Sequence, residues 1–363
     1  MQIRAALARV AGQALSLEYC ELADPGIGEV RVKLEACGIC HTDIVALNQQ
    51  WPVPLPAVLG HEGVGRIETL GPGVSNFAIG DRVVMSFGAC GRCANCDSAA
   101  PGYCDNAVTF QVLGQRMDGS SPLSQQGEKI TGHFFAQSSF ASHAVASTRN
   151  MVKLDDDLPA ELMAPLACGV QTGMAAVLVA LAARAGTTIA VIGCGTVGLS
   201  AIMAAKITAC ATIVAIDVKL ERLETARELG ASHCLDGADA TLKRQLRKFG
   251  GMDYVIDTTG IPEVILTGFD ALRARGTLLC LGVSFAGSKL PLDLASLLMG
   301  GKRVRGSIVG DAVPTEFIPQ MIEYYRRGLM PLDRLVKTYP FEKINTALND
   351  AKSGVAIKPV LIM

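Results

Sequence analysis

Cys40 and His61 are the first residues whose types invite chemistry. They stand in Cys37-Gly38-Ile39-Cys40-His41-Thr42-Asp43 and in Gly60-His61-Glu62-Gly63. Thiolate sulfur and imidazole nitrogen are zinc donors, and these two lie on separate turns that a fold can bring to one ion. Two donors do not complete a site, and a small buried Cys beside a hydrogen-bonded core His is the competing reading. A second group is more self-sufficient. Cys90, Cys93, Cys96 and Cys104 fall within turn-forming sequence at a spacing that closes a tetrahedral zinc shell and leaves no open position, which is a structural arrangement. A redox CxxC pair would account for only two of the four.

A third group points to a dinucleotide. The run Thr188 to Ile192 reads as a short buried strand, followed by Gly193-Cys194-Gly195-Thr196-Val197-Gly198 and an apolar helix over Leu199 to Ala209. The first glycine permits a tight turn, the second lets backbone approach a pyrophosphate, and the third lets helix pack on strand, with the helix N-terminus facing the phosphates. A second strand over Thr212 to Ile216 ends in Asp217, placed to accept hydrogen bonds from ribose hydroxyls. A carboxylate there repels a 2′-phosphate, so NAD is expected rather than NADP. The competing role for Asp217 is as N-cap of a helix over Leu220 to Leu229.

These groups need elements to hold them. Up to about residue 90 the chain reads as β: Val30, Val32, Leu34 and Ala36 alternate with Arg31, Lys33 and Glu35, and turn signals such as Gly71-Pro72-Gly73 separate short apolar runs. A small barrel or sandwich is expected. Residues 105 to 132 are polar and Gly-rich and read as a long surface loop. His133 and His143 lack a second ligand at a recognisable spacing and are expected to be structural. After Thr187 strands alternate with helices, with further strands over Asp253 to Asp257 and Thr277 to Gly282, which argues for a parallel sheet covered on both faces. Helices follow over Thr315 to Arg327 and Glu342 to Lys352, then a strand-like tail, Ile357 to Ile362, that could rejoin the first domain.

The 363 residues suffice for about two domains. A formal net charge of -1, with 18% charged residues, gives no electrostatic case for nucleic acid or an anionic membrane surface. The longest apolar run, Met174 to Ala183, is too short to span a bilayer, and Met1-Gln2-Ile3-Arg4-Ala5 runs straight into an alternating pattern without a leader. A soluble cytoplasmic protein acting on a small molecule is the expectation. Twelve cysteines in such a protein suit metal ligands and buried thiols better than disulfides.

The motifs in this order, with Ala167-Cys168-Gly169-Val170-Gln171-Thr172-Gly173 among them, resemble the zinc-dependent medium-chain alcohol dehydrogenases nearly end to end. The resemblance implies two zinc ions per subunit. One is catalytic, held by Cys40, His61 and Cys168 with a fourth position open, and one is structural, held by Cys90, Cys93, Cys96 and Cys104. It further implies that Thr42 carries the alcohol proton, that Asp43 supports His61, and that Glu62 stands beside the zinc. His41 and Lys358 match positions at the cofactor pyrophosphate, Arg222 one near the adenosine ribose, and Thr172 and Val197 positions packed on the nicotinamide. Many relatives end a proton relay with a histidine where this chain has Val45.

The segment His133 to Ala141 and the leader Met85-Ser86-Phe87 look like bacterial aryl-alcohol dehydrogenases, with Trp51 and Phe134 at substrate-channel positions. An allylic terpenoid alcohol of the geraniol type is the open alternative. The glutathione-dependent formaldehyde dehydrogenase branch uses an acid at Trp51 and an arginine at Val108, and neither is present. A non-catalytic nucleotide-binding scaffold would be expected to lack one of Cys40, His61 and Cys168. The implied α/β architecture is a GroES-like β-rich catalytic domain over 1–169 and 310–363, with a Rossmann doubly wound domain over 170–309, the active site between them, and assembly as a homodimer or homotetramer.

Overall fold

The computed structural model describes residues 1–284 and 287–363. The chain divides into two units. The first comprises Met1–Cys168, Val313–Glu323 and Leu332–Met363, and the second Gly169–Ala312 and Tyr324–Pro331. Residues 310–312 and 324–331 therefore cluster with the second unit, whereas the sequence expectation assigns all of 310–363 to the first. The unit boundary falls inside the helix Pro314–Arg326, whose end from Tyr324 onward belongs to the second unit together with the residues up to Pro331.

The first unit is built on antiparallel β-structure. Its central strand, Glu29–Gly38, buries Val30, Val32, Leu34 and Ala36, while Arg31, Lys33 and Glu35 are less buried, as the alternation requires. It pairs antiparallel with Gly63–Leu70, with His143–Ser147 and with the C-terminal strand Lys358–Ile362. The tail thus rejoins the first unit beside the strand that leads to Cys40. A second sheet carries Gln2–Ala8, Ser16–Leu22 and a short hairpin of Leu123–Gln125 and Glu128–Ile130. This hairpin and the helix Ala107–Gln111 correct the expectation of an unstructured loop over 105–132. Each is so short that its few apolar residues carry no readable period.

His133 is buried and sits 3.9 Å from Glu29, whose carboxylate accepts from the Arg116 guanidinium at 2.8 and 2.7 Å. Burial, opposed by Glu29 and reinforced by Arg116, brings the His133 pKa down to about 4. The folded pKa then lies below the ordinary value of about 6.5, so the unfolded chain takes up the proton first, and stability present above pH 6.5 is lost as pH falls toward 4. The full shift corresponds to about 3 kcal/mol. Urea midpoints measured from pH 7 to pH 4.5 should fall more steeply for wild type than for His133→Gln; parallel curves would contradict this account.

The second unit holds a six-stranded sheet in the order His233–Asp236, Thr212–Asp217, Thr188–Ile192, Met252–Asp257, Leu272–Cys280, Arg303–Gly306, and each pair is parallel. Thr188–Ile192 and Thr212–Asp217 are buried from their second residue through Ile192 and Ile216, which explains their apolar runs. The helix after the glycine motif, Thr196–Ile207, starts three residues earlier than the apolar run, with Gly195 as its N-cap, and Leu220–Leu229 matches its expected span. Among the described residues no single helix is long and apolar enough to cross a membrane.

Candidate metal centre and dinucleotide site

Strand Glu29–Gly38 hands the chain to a short helix, His41–Leu47, whose N-cap is Cys40. Asp43 in its first turn is wholly buried and organises this corner. Its Oδ2 accepts from the Cys40 N–H at 2.9 Å, and its Oδ1 accepts from the Gly60 N–H at 3.1 Å and lies 3.0 Å from His61 Nδ1. One carboxylate therefore ties the two loops that bear Cys40 and His61. Because Nδ1 carries the hydrogen that Asp43 accepts, Nε2 presents its lone pair, and Nε2 is buried with no hydrogen-bond partner. A buried, unmatched imidazole nitrogen is costly unless a cation occupies the space in front of it.

Cys168 follows a 3-10 turn, Ala164–Ala167, and its Sγ lies 4.0 Å from Cys40 Sγ. Two sulfurs on one tetrahedral zinc stand about 3.8 Å apart. The donor atoms of Cys40, His61, Glu62 and Cys168 all lie within 4.8 Å of one another. The electrostatics of the cluster agree with a cation site. The Cys168 thiol and His61 hold Cys40 well below the ordinary thiol range against the opposing effect of burial, while Cys40 and burial push Cys168 well above it, so the pair shares one proton. A divalent ion would expel that proton. Burial alone would lower the His61 pKa, but Asp43 and Cys40 outweigh it and raise it. These residues fit a zinc ion.

Glu62 is wholly buried, and Gly38 admits it: a Cβ at position 38 would collide with Glu62 Oε2. Lys358, on the C-terminal strand, donates to both Glu62 oxygens at 2.9 Å and to the Ile39 carbonyl at 3.0 Å. Resemblance places Lys358 at a cofactor phosphate; here its ammonium is 2% exposed and directed at Glu62. His41 is exposed and Thr42 half-buried, with Thr42 Oγ1 3.6 Å from Cys40 Sγ. Val45 is buried.

Aromatic rings line one side of His61. Phe135 stacks on it with centroids 4.5 Å apart and planes at 26°, and Trp51 lies parallel to Phe135 at 6.4 Å and 14°. Phe134, the expected pocket residue, has no exposed surface and instead braces both His61 and Phe135 edge-on. Sequence reading missed Phe135. Its φ of +53° is a left-handed conformation for a bulky residue, which turns the ring out of the direction an extended neighbour would take.

The four cysteines of the lobe also converge within 4.8 Å. The Cys90 and Asn106 N–H groups donate to Cys104 Sγ at 3.3 and 3.4 Å, contacts that suit a thiolate held by a metal. Burial pushes the Cys104 thiol up to about 12, whereas the Arg92 N–H and Asn106 bring Cys90 down to about 6 against burial. His133 and His143 lie outside both ligand groups. No disulfide joins the twelve cysteines.

In the second unit, Gly193 has a φ of +90°, and a Cβ at Gly198 would strike the Gly193 carbonyl, while nothing lies within 4 Å of a Cβ built at Gly195. Those are the three conditions a glycine turn around a pyrophosphate requires. Asp217 Oδ2 accepts from the Cys194 N–H at 2.6 Å and Oδ1 from the Lys219 N–H at 2.9 Å, so the acid fixes the turn as well as ending its strand. Beside it an apolar cavity of about 200 Å³ is lined by Ile192, Ile216, Val218, Leu242 and Ile261 among others. Arg222 is buried, and burial lowers its pKa despite Asp217. Thr172 and Val197 are half-buried on neighbouring helices, brought close where Gly173 lies against the Val197 carbonyl.

Comparison with known proteins agrees with this geometry. Residues 26–156 match the alcohol dehydrogenase GroES-like domain and residues 196–326 the zinc-binding dehydrogenase domain. The chain is 40% identical over 363 residues to geraniol dehydrogenase of Castellaniella defragrans, covering 99% of this chain and 97% of that one. Among solved structures, an alcohol dehydrogenase zinc-binding domain protein from Burkholderia ambifaria is 44% identical with a TM-score of 0.98, covering 100% of this chain and 99% of that one. The benzyl alcohol dehydrogenase of Acinetobacter calcoaceticus is 38% identical with a TM-score of 0.96 over 100% and 99% of the two chains. With its GroES-like and Rossmann-like parts and a ready-made cysteine and histidine donor set, the chain belongs to the zinc-dependent alcohol dehydrogenase family.

Proposed function

We propose that this protein is an NAD-dependent dehydrogenase of primary aromatic alcohols, interconverting a benzyl-type alcohol and its aldehyde. The observation that carries the substrate class is the ring stack Trp51–Phe135–His61, which sets a flat apolar wall against one of the metal donors. Offset stacking adds about 0.5 to 1.5 kcal/mol to burial for an aromatic guest. The identity to a relative named geraniol dehydrogenase favours an allylic alcohol as the second reading, since the same wall accepts a planar alkene.

Cys40, His61 and Cys168 would hold the catalytic zinc, and Cys90, Cys93, Cys96 and Cys104 the structural one. Zinc at the first site supplies Lewis-acid stabilisation of the charge that develops on the alcohol oxygen. The Thr42 hydroxyl takes the alcohol proton, and with Val45 in place of the relay histidine that proton leaves by a route other than a histidine side chain. Asp43 keeps Nε2 of His61 directed at the ion. The glycine turn and Asp217 receive the dinucleotide; the carboxylate favours ribose hydroxyls over a phosphate and so NAD over NADP. His41, Arg222, Thr172 and Val197 are proposed cofactor neighbours. Lys358 acts on this site through Glu62.

Two further features support the setting. Leu294, Leu298 and Met299 on the helix Leu294–Gly300 are each more than two-thirds exposed, an apolar face suited to self-association as a homo-oligomer. Twelve unbridged cysteines suit the reducing cytoplasm.

Phe135→Leu removes the ring on His61 and should lower kcat/KM for benzyl alcohol relative to ethanol roughly 2- to 10-fold. An unchanged ratio would remove the stack from the specificity argument.

A further inference from the structure

The wholly buried amide of Gln137 and the hydroxyl of Ser86 form a polar hub behind the metal donors. Gln137 Nε2 donates to the carbonyls of His61 at 3.0 Å, Met85 at 3.1 Å and Ser86 at 2.9 Å. Its Oε1 accepts from the Gly63 N–H at 3.1 Å and from Ser139 Oγ at 2.6 Å. The side chain thus brackets His61 from the peptide after it and the N–H two residues on. Ser86 extends the hub to the third donor: its Oγ donates to the Ala167 carbonyl at 2.6 Å, one peptide before Cys168. Asn150 holds Ser86 in turn, donating from Nδ2 to its carbonyl at 2.7 Å and accepting its N–H at 2.8 Å.

We infer that Gln137 and Ser86 are positioning residues that fix the spacing of His61 and Cys168 and thereby set how tightly the catalytic metal is held. Asp43 already controls the rotation of the His61 ring and its distance from the Cys40 loop. A hydrogen-bonded path from the His61 backbone to the Cys168 turn runs through Gln137, Ser86 and Ala167. All five contacts of the Gln137 amide are made, which restrains that side chain, while Asn150 Oδ1 at the edge of the hub has no hydrogen-bond partner. The chain also places Phe134, Phe135 and Gln137 on one short turn, so the residues that pack on the His61 ring and the one that holds its backbone move together.

This inference rests on the zinc reading of the site, and its test separates the two. Zinc-loaded full-length protein is mixed with excess of a chromophoric chelator, and the release phases are timed for wild type, Gln137→Met and Ser86→Ala. The phase absent from Cys40→Ala protein identifies the catalytic ion. Its release is expected to be about tenfold faster in Gln137→Met and roughly 2- to 10-fold faster in Ser86→Ala, with the four-cysteine phase unchanged. The visible absorption of cobalt-substituted protein should shift in both variants. Should Gln137→Met fail to fold, Ser86→Ala, which loses one hydrogen bond, decides alone. Unchanged catalytic-phase release, or equal acceleration of both phases as general loosening would give, overturns the inference while leaving the zinc reading intact. A wild type that releases only the four-cysteine ion overturns both.

Discussion

Cys40→Ala protein should lose alcohol oxidation by at least about a thousandfold while still binding NADH. The substitution deletes one of the three donors proposed for the catalytic ion. Lewis-acid stabilisation of several kcal/mol goes with the ion, and each 1.4 kcal/mol or so is a factor of ten in rate. The glycine turn and Asp217 belong to the other unit and keep their own hydrogen bonds, so fluorescence titration with NADH should give a dissociation constant close to wild type. Metal analysis should find one zinc per chain instead of two. Turnover at the wild-type rate would refute a catalytic ion at this site.

Lys358→Met should be the most destabilising substitution near the site. The Glu62 carboxylate and the Lys358 ammonium are 0% and 2% exposed, and the pair is joined by two hydrogen bonds of 2.9 Å. Burial raises the Glu62 pKa, a tendency that Lys358 opposes, so removing the lysine leaves a desolvated acid without its cation. Breaking such a pair by deleting one member costs about 3 to 5 kcal/mol, whereas removing both charges is far milder. Urea unfolding should therefore show a large loss for Lys358→Met and recovery of most of it in Lys358→Met/Glu62→Gln. A single variant as stable as wild type would show that the pair is held by something other than its mutual charge.

Much of this site is legible in sequence because metal chemistry restricts residue type so severely. Four cysteines in fifteen residues have few other uses, and the glycine positions of the turn are dictated by backbone clearance, which the structure reproduces at Gly193, Gly195 and Gly198. The central strand was legible because one of its faces is buried, which forces alternation. Other features depend on tertiary context that no local pattern encodes. Resemblance places Lys358 at the cofactor pyrophosphate, and only the pairing of its strand beside Glu29–Gly38 turns it onto Glu62. Phe134 and Phe135 are equivalent in sequence until a left-handed turn at Phe135 decides which ring stacks on His61. Gln137 lies in the segment His133 to Ala141 with nothing local to mark it, and it is wholly buried because three carbonyls and two donors converge on it. The short hairpin inside residues 105 to 132 pairs with the sequence-distant strand Ser16–Leu22, and neither it nor the five-residue helix leaves a periodic trace.

The measurement that bears most directly on the whole account is NADH formation by the zinc-loaded protein with benzyl alcohol, geraniol and ethanol offered in parallel, each with NAD and with NADP. The account predicts the highest kcat/KM for benzyl alcohol with NAD, with ethanol and NADP well behind. Geraniol ahead of benzyl alcohol would keep the zinc and the aromatic wall and reassign the substrate to allylic alcohols. Failure to oxidise any of the three, in protein shown to carry both zinc ions and to bind NADH, would contradict the proposed dehydrogenase activity.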